Sequence, residues 1–407
     1  MPELAINGGP QLRTQPWPSW PVWDEREIRA LEEVVRSGRW GRLHEHSKVA
    51  QFEEVFAAYQ DARFGVAVTS GTAALVAGLQ AVGVDVGDEV IVPAYTFIAT
   101  ASAVLELKAV PVFVDVELDT INIDPEAVEA AITPRTRAVV PVHWAGRAVD
   151  LDRILDIARR HSLAVVEDAC HCWGSTWNDR KLGAIGDLGG ISFQESKHIT
   201  AGEGGMVLTN HEELAAKVFS YHHIGRLPDR PFYEHHSVGT NYRMTEFQAA
   251  VLLAQFERLE EQTQRREENG AFLDEQFAQI AGLRCLRREP YMTRISRHGY
   301  NLLYHPEAYD GLPRDRFLQA LNAEGIPASA GYAHPLYANP VFAEARFGRI
   351  KQFVEFPDYA AVSCPNAERI CRERIGLSQV CLLADRDEVR DILRAVEKII
   401  ANLDELR

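Results

Sequence analysis

The chain has 407 residues, 46% of them apolar and 25% charged, with a formal net charge of −15. That length exceeds one compact core and leads to an expectation of two domains, within the composition of an ordinary soluble globular protein. The acidic balance argues against a nucleic-acid groove, because phosphate binding needs surplus Lys and Arg; a local basic pocket for a small anion stays open.

The N-terminal MPELAINGGPQLRT has no apolar stretch of the kind a signal peptide needs. The most apolar window, residues 66–84, is broken by Ser, Thr, Gly and Gln and does not read as a membrane span. Six sparse cysteines then suggest reduced thiols in a cytoplasmic protein. Cys170-His171-Cys172 lacks a second matching pair, so the spacing does not support a metal site.

Residues 1–24 read as an N-terminal arm; its PWPSWPVW (16–23) is rigid and sticky, a segment that packs on a surface. Trp17, Trp20 and Trp23 read as packing residues. A helix is expected over 25–37, capped by Asp24, and another over 48–60. Strands and helices then alternate. Strands are expected at 64–70, 88–94, 109–116, 137–144, 163–169, 188–193 and 205–210, with helices between the earlier ones. Apolar strands separated by helices indicate an α/β fold, a mostly parallel seven-stranded sheet covered on both faces. A helix at 211–221 leads into a His- and Arg-rich loop, 222–242, and a long helix is expected from Thr245 to about Phe277. Beyond it lies a smaller α+β unit with a strand in GYNLLYHP, a helix in RDRFLQALNAEG and a last helix over 385–403. The expected division is 1–24 arm, 25–270 large domain and 271–407 small C-terminal domain.

In open α/β sheets ligands bind beyond the carboxyl ends of strands, and three sites fall there. Thr69-Ser70-Gly71-Thr72 makes a strand-to-helix turn whose free amides suit a phosphate; it is equally an ordinary helix cap. Asp168 ends the strand LAVVEDA, where a buried carboxylate needs a cationic partner such as a pyridinium N–H; a salt-bridged or capping Asp is the plainer reading. Lys197, five residues after Ser192, sits in SFQESKHITAGEGG, where apolar surroundings would leave its amine neutral and nucleophilic; a solvated lysine is the alternative. A phosphate cradle, a strand-end acid and a lysine about 30 residues further on together fit pyridoxal phosphate.

The chain resembles the DegT/StrS family of sugar and cyclitol aminotransferases, fold-type-I pyridoxal-phosphate enzymes. The motifs that carry the resemblance run in order from PWPSWPVW through TSGTAAL, GDEVIVPAYTFIATASA, PVFVDV, PVHWAG, EDACHCWGS, GDLGGISFQESKHITAGEGG and GTNYRMTEFQAA to VCLLA. The resemblance implies that Lys197 bonds covalently to pyridoxal 5'-phosphate and shuttles the proton, and that Asp168 keeps the ring nitrogen protonated. It implies phosphate binding by Gly71, Thr72 and Ser192, stacking by Phe97, and a place for His171 near the ring's 3-hydroxyl. It also implies that Asn241 reaches a partner subunit's phosphate in a homodimer with shared sites. Phe97 as plain core and His171 as a structural histidine are the alternatives. His143 and the pair His222-His223 read as structural. EDACHC departs from relatives with two alanines or a Gln, which leaves the contacts behind the ring open.

The implied reaction moves an amino group from glutamate or glutamine to a ketocyclitol of the scyllo-inosose type or a keto-sugar. A nucleotide-linked ketosugar is the alternative acceptor, for which Arg226 and Arg230 in the loop 222–242 are candidates; a solvated loop is the preferred reading. The related deoxysugar dehydratases carry His where the lysine belongs; here Lys197 is present and His198 follows it. A non-catalytic regulator that keeps the cofactor as structure is the rival of another class, and no appended DNA-binding helix pair supports it.

Overall fold

The computed structural model describes residues 3–44, 46–228 and 230–407; Met1, Pro2, Glu45 and Asp229 lie outside it, and with them two positions of the expected arm and one of the loop 222–242. The main sheet consists of β1 (Phe64–Val68), β2 (Glu89–Pro93), β3 (Val110–Val114), β4 (Thr136–Val139), β5 (Ala164–Asp168), β6 (Leu188–Ser192) and β7 (Gly205–Thr209). Its spatial order is β1-β7-β6-β5-β4-β2-β3. β6, β5, β4, β2 and β3 pair in parallel, and β7 runs antiparallel to both of its neighbours.

The helices of this part are α1 (Glu25–Ser37), α2 (Lys48–Tyr59), α3 (Gly71–Ala81), α4 (Ala99–Glu106), α5 (Pro125–Ala130), α6 (Leu151–His161), α7 (Glu212–His222), α8 (Glu246–Phe256) and α9 (Leu259–Phe277). Alternation along the strands divides the apolar side chains between two faces. Val66, Val90, Val92, Val166 and Val207 enter one core with α3 and α4. Ala67, Ile91, Val165, Met206 and Leu208 enter the other with α2 and α6. Each fully buried Val, Leu or Ile contributes roughly 1.5–3 kcal/mol, so a polar residue at Ile91 would disrupt the second face.

The second sheet joins β8 (Leu283–Cys285), β9 (Tyr300–Tyr304), β10 (Ala328–Ser329) and β11 (Arg374–Leu377) in the antiparallel order β8-β9-β11-β10. With it come α10 (Arg314–Ala323), α11 (Pro340–Ala343), α12 (Pro365–Glu373) and α13 (Arg386–Ala401). Its core contains Leu273 and Phe277 of α9, Phe317 of α10, Ile392 and Val396 of α13, and Leu4 of the N-terminal arm.

The arm is pinned at both ends. Arg13 pairs with Glu388 at 2.8 Å and Asp391 at 3.0 Å on α13. Trp17 Nε1 donates to Gly325 O, and Trp20 Nε1 donates to the carbonyl of Glu195. Trp17 and Trp20 thus serve packing and anchoring, while Trp23 is 65% exposed.

Two expected elements differ. The strand expected over 137–144 is regular only to Val139; an isolated bridge joins Val142 to Asp168 before the chain turns through a short helical turn at Trp144–Gly146. The long helix expected from Thr245 to Phe277 is two helices broken at Glu257-Arg258. No Gly or Pro marks that break. Arg258, itself buried, reaches Glu27 at the start of α1, Asp24 Oδ2 at 3.1 Å and the carbonyl of Val22 at 3.1 Å, and this tertiary clamp redirects the backbone. No helix among the described residues is long and apolar enough to cross a membrane.

Candidate active site

The carboxyl ends of β5 and β6 and the first turns of α3 and α4 surround a cavity of about 640 Å³. Seven residues singled out from the sequence line it: Gly71, Thr72, Phe97, Asp168, His171, Ser192 and Lys197. Asn241 does not line this chain's own cavity; it is exposed, in a backbone bridge with His223. Arg226 and Arg230 lie away from the cavity as well, Arg226 stacking 3.9 Å over the Phe232 ring.

The end of β5 separates two adjacent carboxylates. Glu167, with 0% exposure, points away from the cavity. It accepts from His143 Nε2 at 2.9 Å and from the amides of Gly183, Ile185 and Gly186. Burial opposes its charge, but the hydrogen bonds from His143 and these amides hold its pKa below the usual carboxylate range. His143 is thereby a structural partner, its Nδ1 accepting from the Val149 amide at 3.1 Å. Asp168 faces the cavity. Its Oδ2 accepts from Thr100 Oγ1 at 2.7 Å and its Oδ1 from the Cys170 amide at 3.2 Å. These bonds fix the carboxylate plane, and no direct ion pair satisfies it among the described residues.

Lys197 lies on the long connection from β6 to β7. That connection is tied by its own backbone: Phe193 N to Gly204 O, Glu195 N to Gly202 O, and Lys197 N to Gln194 O. Burial lowers the pKa of Lys197, with the nearby Cys170 and Asp168 acting in the opposite direction. Its Nζ lies 3.5 Å from His298 Nε2. His198 turns away from the cavity and packs on Trp173, ring centroids 4.8 Å apart. The lysine and the histidine that follows it therefore occupy different environments.

At the opposite wall Ser70 caps α3, its Oγ accepting from the Ala73 amide at 3.1 Å and its carbonyl from the Ala74 amide. Neither bond uses the amides of Gly71 or Thr72, which begin the helix where its dipole favours an anion. A Cβ at Gly71 would lie 2.8 Å from Ser192 Cβ and 3.0 Å from Cys170 Sγ. The glycine keeps this cradle open, and the Ser192 hydroxyl borders it. Phe97, 57% exposed, is a wall of the cavity and not a core side chain. His171 Nδ1 accepts from the Ala145 amide at 3.3 Å, and burial pushes its pKa well below the ordinary value, so the neutral ring carries its proton on Nε2.

Several residues that line the cavity or support its lining were not legible in the sequence. Thr100 follows Phe97 on the first turn of α4, and only its bond to Asp168 gives it a role. Tyr95, Trp144 and Tyr332 form an aromatic wall, with Tyr95 to Trp144 centroids 5.7 Å apart and Tyr95 to Tyr332 5.2 Å apart. His298 and Arg374 come from the second sheet's segment of the chain. Its cysteine neighbours are occupied elsewhere: Cys170 Sγ faces Gly190 O and Cys172 Sγ faces His143 O, both at 3.5 Å.

The model of the DegT/DnrJ/EryC1/StrS aminotransferase family matches residues 21–397. The chain belongs to this family. It is 39% identical to the L-glutamine:2-deoxy-scyllo-inosose aminotransferase of Streptoalloteichus tenebrarius, over 99% of both chains. It is 37% identical to the spore coat polysaccharide biosynthesis protein SpsC of Bacillus subtilis, over 95% of this chain and 97% of that one. Among solved structures it resembles 3-amino-5-hydroxybenzoic acid synthase with a TM-score of 0.85 and 34% identity, covering 97% of this chain and 100% of that one. As a DegT/StrS member the chain is a pyridoxal-phosphate-dependent sugar or cyclitol aminotransferase of fold type I.

The cavity suits the cofactor that the family implies. One end offers helix-start amides and a hydroxyl with room kept by Gly71, the other an oriented carboxylate, and between them a lysine with a lowered pKa.

Proposed function

We propose that this chain transfers an amino group from L-glutamine, or from glutamate, to a ketocyclitol of the scyllo-inosose type. The observation that carries this reading is the near-full-length identity to aminotransferases named for L-glutamine and scyllo-inosose or 2-deoxy-scyllo-inosose, 39% and 37% for two of them. A nucleotide-linked ketosugar is the second reading, favoured by the likeness, at 28% identity and a TM-score of 0.84, to DesI, solved in the presence of its TDP-sugar product.

In this reading Gly71, Thr72 and Ser192 hold the cofactor's phosphate, Asp168 keeps a proton on its ring nitrogen, Phe97 covers its face and Lys197 carries it covalently. Pyridoxal phosphate, when bound, supplies an aldehyde that takes up the amino group and a ring that accepts an electron pair. Lys197 Nζ, neutral at a lower pH than an ordinary lysine, takes the proton from the donor's α-carbon and returns it. Thr100 holds the Asp168 carboxylate in place throughout. His171, neutral with its proton on Nε2, would donate to the 3-hydroxyl oxygen of the bound cofactor.

The chain acts as a homodimer with shared sites. Asn241 lies outside its own cavity, on a stretch that also exposes Phe232, Tyr233 and Val238, and it binds the phosphate held by the partner.

A half-reaction screen tests the acceptor. The amine form of the protein is mixed with scyllo-inosose, its 2-deoxy analogue and nucleotide-4-ketosugars, and return of the aldehyde-form spectrum is followed. The expected result is a response to one or both inososes; a response to nucleotide sugars alone would overturn the cyclitol assignment.

A further inference from the structure

We propose that His298 is a positioning residue for Lys197: its Nε2–H donates to the lone pair of the free lysine amine and keeps that amine neutral. The inference rests on the aminotransferase reading above. The two nitrogens lie 3.5 Å apart in the cavity wall. Among the described residues the imidazole is the one hydrogen-bond partner of Nζ.

The backbone around His298 is left-handed on both sides. Arg297 before it has φ of 62° and Gly299 after it 97°, and Ala145, which meets it across the cavity wall, has φ of 53°. A left-handed residue other than glycine costs free energy and persists where its surroundings over-determine it, most often at functional sites. Here the surroundings are explicit. Buried Arg297 is gripped by Glu267 at 3.2 Å and Asp274 at 2.6 Å, both on α9. Gly270 on the same helix makes room for it, since a Cβ there would lie 2.5 Å from Arg297 Nε. The His298 amide donates to Ala145 O at 3.1 Å, while the Ala145 amide donates to His171 Nδ1 at 3.3 Å. One strained residue thus aligns both imidazoles, whose ring centroids lie 4.4 Å apart.

The ring's proton follows from its partners. His298 Nδ1 is buried and has no hydrogen-bond partner among the described residues. Buried N–H groups are rarely left orphaned, so the proton of the neutral ring belongs on Nε2, where Nζ accepts it. The ring stays neutral. Burial pushes its pKa well below the ordinary histidine value. Lys197 and His198 on the β6–β7 connection, His171 beyond β5 and Arg266 on α9 all act in the same direction.

A neutral imidazole that donates is a partner for an amine and not for an ammonium. It therefore favours the form of Lys197 that can take a proton. At 3.5 Å the bond is long, so the lone pair turns to the substrate at small cost. When the donor's α-proton bonds to Nζ, the lone pair is used up and the bond to His298 ends. The ammonium then faces an N–H, and the ring cannot change tautomer without orphaning its proton on Nδ1. The proton therefore passes on from Nζ and does not rest there.

The test reads the lysine directly. The protein is set in its amine form with pyridoxamine 5'-phosphate, which leaves Lys197 uncoupled. Acetylation of Lys197 by trace acetic anhydride is then followed against pH by mass spectrometry. Only the neutral amine reacts, so the rate rises through the Lys197 pKa. In His298→Leu the rise is expected about half to one pH unit above its native position, the scale of one neutral hydrogen bond. In His298→Gln, whose amide keeps an N–H at similar reach, it is expected near the native position. Loss of a polar neighbour by itself deepens burial and moves the rise to lower pH, so a merely structural role gives the opposite sign. An unchanged or lower position in His298→Leu of native melting temperature would overturn the proposal, and so would His298→Gln behaving like His298→Leu. Neutron diffraction from a crystal of the native amine form requires no variant to fold: a deuteron on His298 Nε2 alone is expected, and one on Nδ1 would overturn the assignment. If no amino donor converts the native protein, the aminotransferase reading fails, and the pyridoxamine-loaded protein still reports on His298.

Discussion

In the proposed function Lys197 concentrates the chemistry at one atom, and its surroundings would set the pH at which that atom works. Burial lowers its pKa, so the neutral amine is reached below the ordinary lysine range. The sign follows directly: protonated lysine cannot accept the donor's proton, so the donor half-reaction rises with pH and levels off before the ordinary lysine pKa. A stopped-flow pH profile whose rising limb sits at that ordinary value would contradict the assignment. Lys197→Ala is expected to lose the visible absorbance of the bound cofactor and to reduce amino transfer by about 10³-fold or more, the scale of a general acid–base group together with a covalent one. Lys197 and Asp168 were legible in the sequence because a lysine beside a glycine-rich turn and an acid after four apolar strand residues need chemical reasons to be there. Thr100 and His298 were not. Each has ordinary sequence neighbours, and its role arises from a contact across the chain, 68 residues from Thr100 to Asp168 and 101 from Lys197 to His298.

The last turn of β5 shows how an element assigns roles that composition cannot. Glu167 and Asp168 are chemically near-identical, yet the two-residue period of the strand sends one into a closed network and the other into the cavity. Glu167→Ala is expected to destabilise the protein by about 3–5 kcal/mol, because His143 and three amides lose a buried charged acceptor. Chemical denaturation measures this. Because the folded-state pKa of Glu167 is depressed, its contribution is present above the unfolded carboxylate pKa and is lost as pH falls through the depressed value. The native protein should therefore lose stability more steeply toward low pH than Glu167→Gln does. At α3, Gly71→Ala is expected to weaken cofactor retention, read as a shift in the cofactor concentration needed for full absorbance, since its Cβ would fill the cradle against Ser192. Element types were readable from apolar period and capping residues. The Asp24 cap of α1 is present. The break between α8 and α9 was not, because the agent that makes it, the clamp on Arg258, comes from residues 22–27 and leaves no breaker in the local sequence.

At the scale of the whole molecule, a shared site makes a prediction about mixtures. Subunits bearing Lys197→Ala and subunits bearing Asn241→Asp are each expected to be poorly active alone. Unfolded together and reassembled at equal amounts, they should recover about a quarter of native activity, because half the dimers carry one intact site. No gain over the parents would rule out sharing through Asn241. The mostly parallel seven-stranded sheet and the smaller α+β part after it were visible as a pattern of alternating strands and helices followed by a change of rhythm; the order of the strands was not. The arm's path was not, because an irregular segment takes its shape from what it lies against.

That path has a practical consequence. Arg13 grips the last long helix, and Trp20 holds the carbonyl of Glu195, two residues ahead of the lysine. The beginning of the polypeptide is therefore a strut between its far end and the connection that carries Lys197. Clipping the backbone between these two anchors should leave the sheet folded while making the imine bond at Lys197 easier for hydroxylamine to strip.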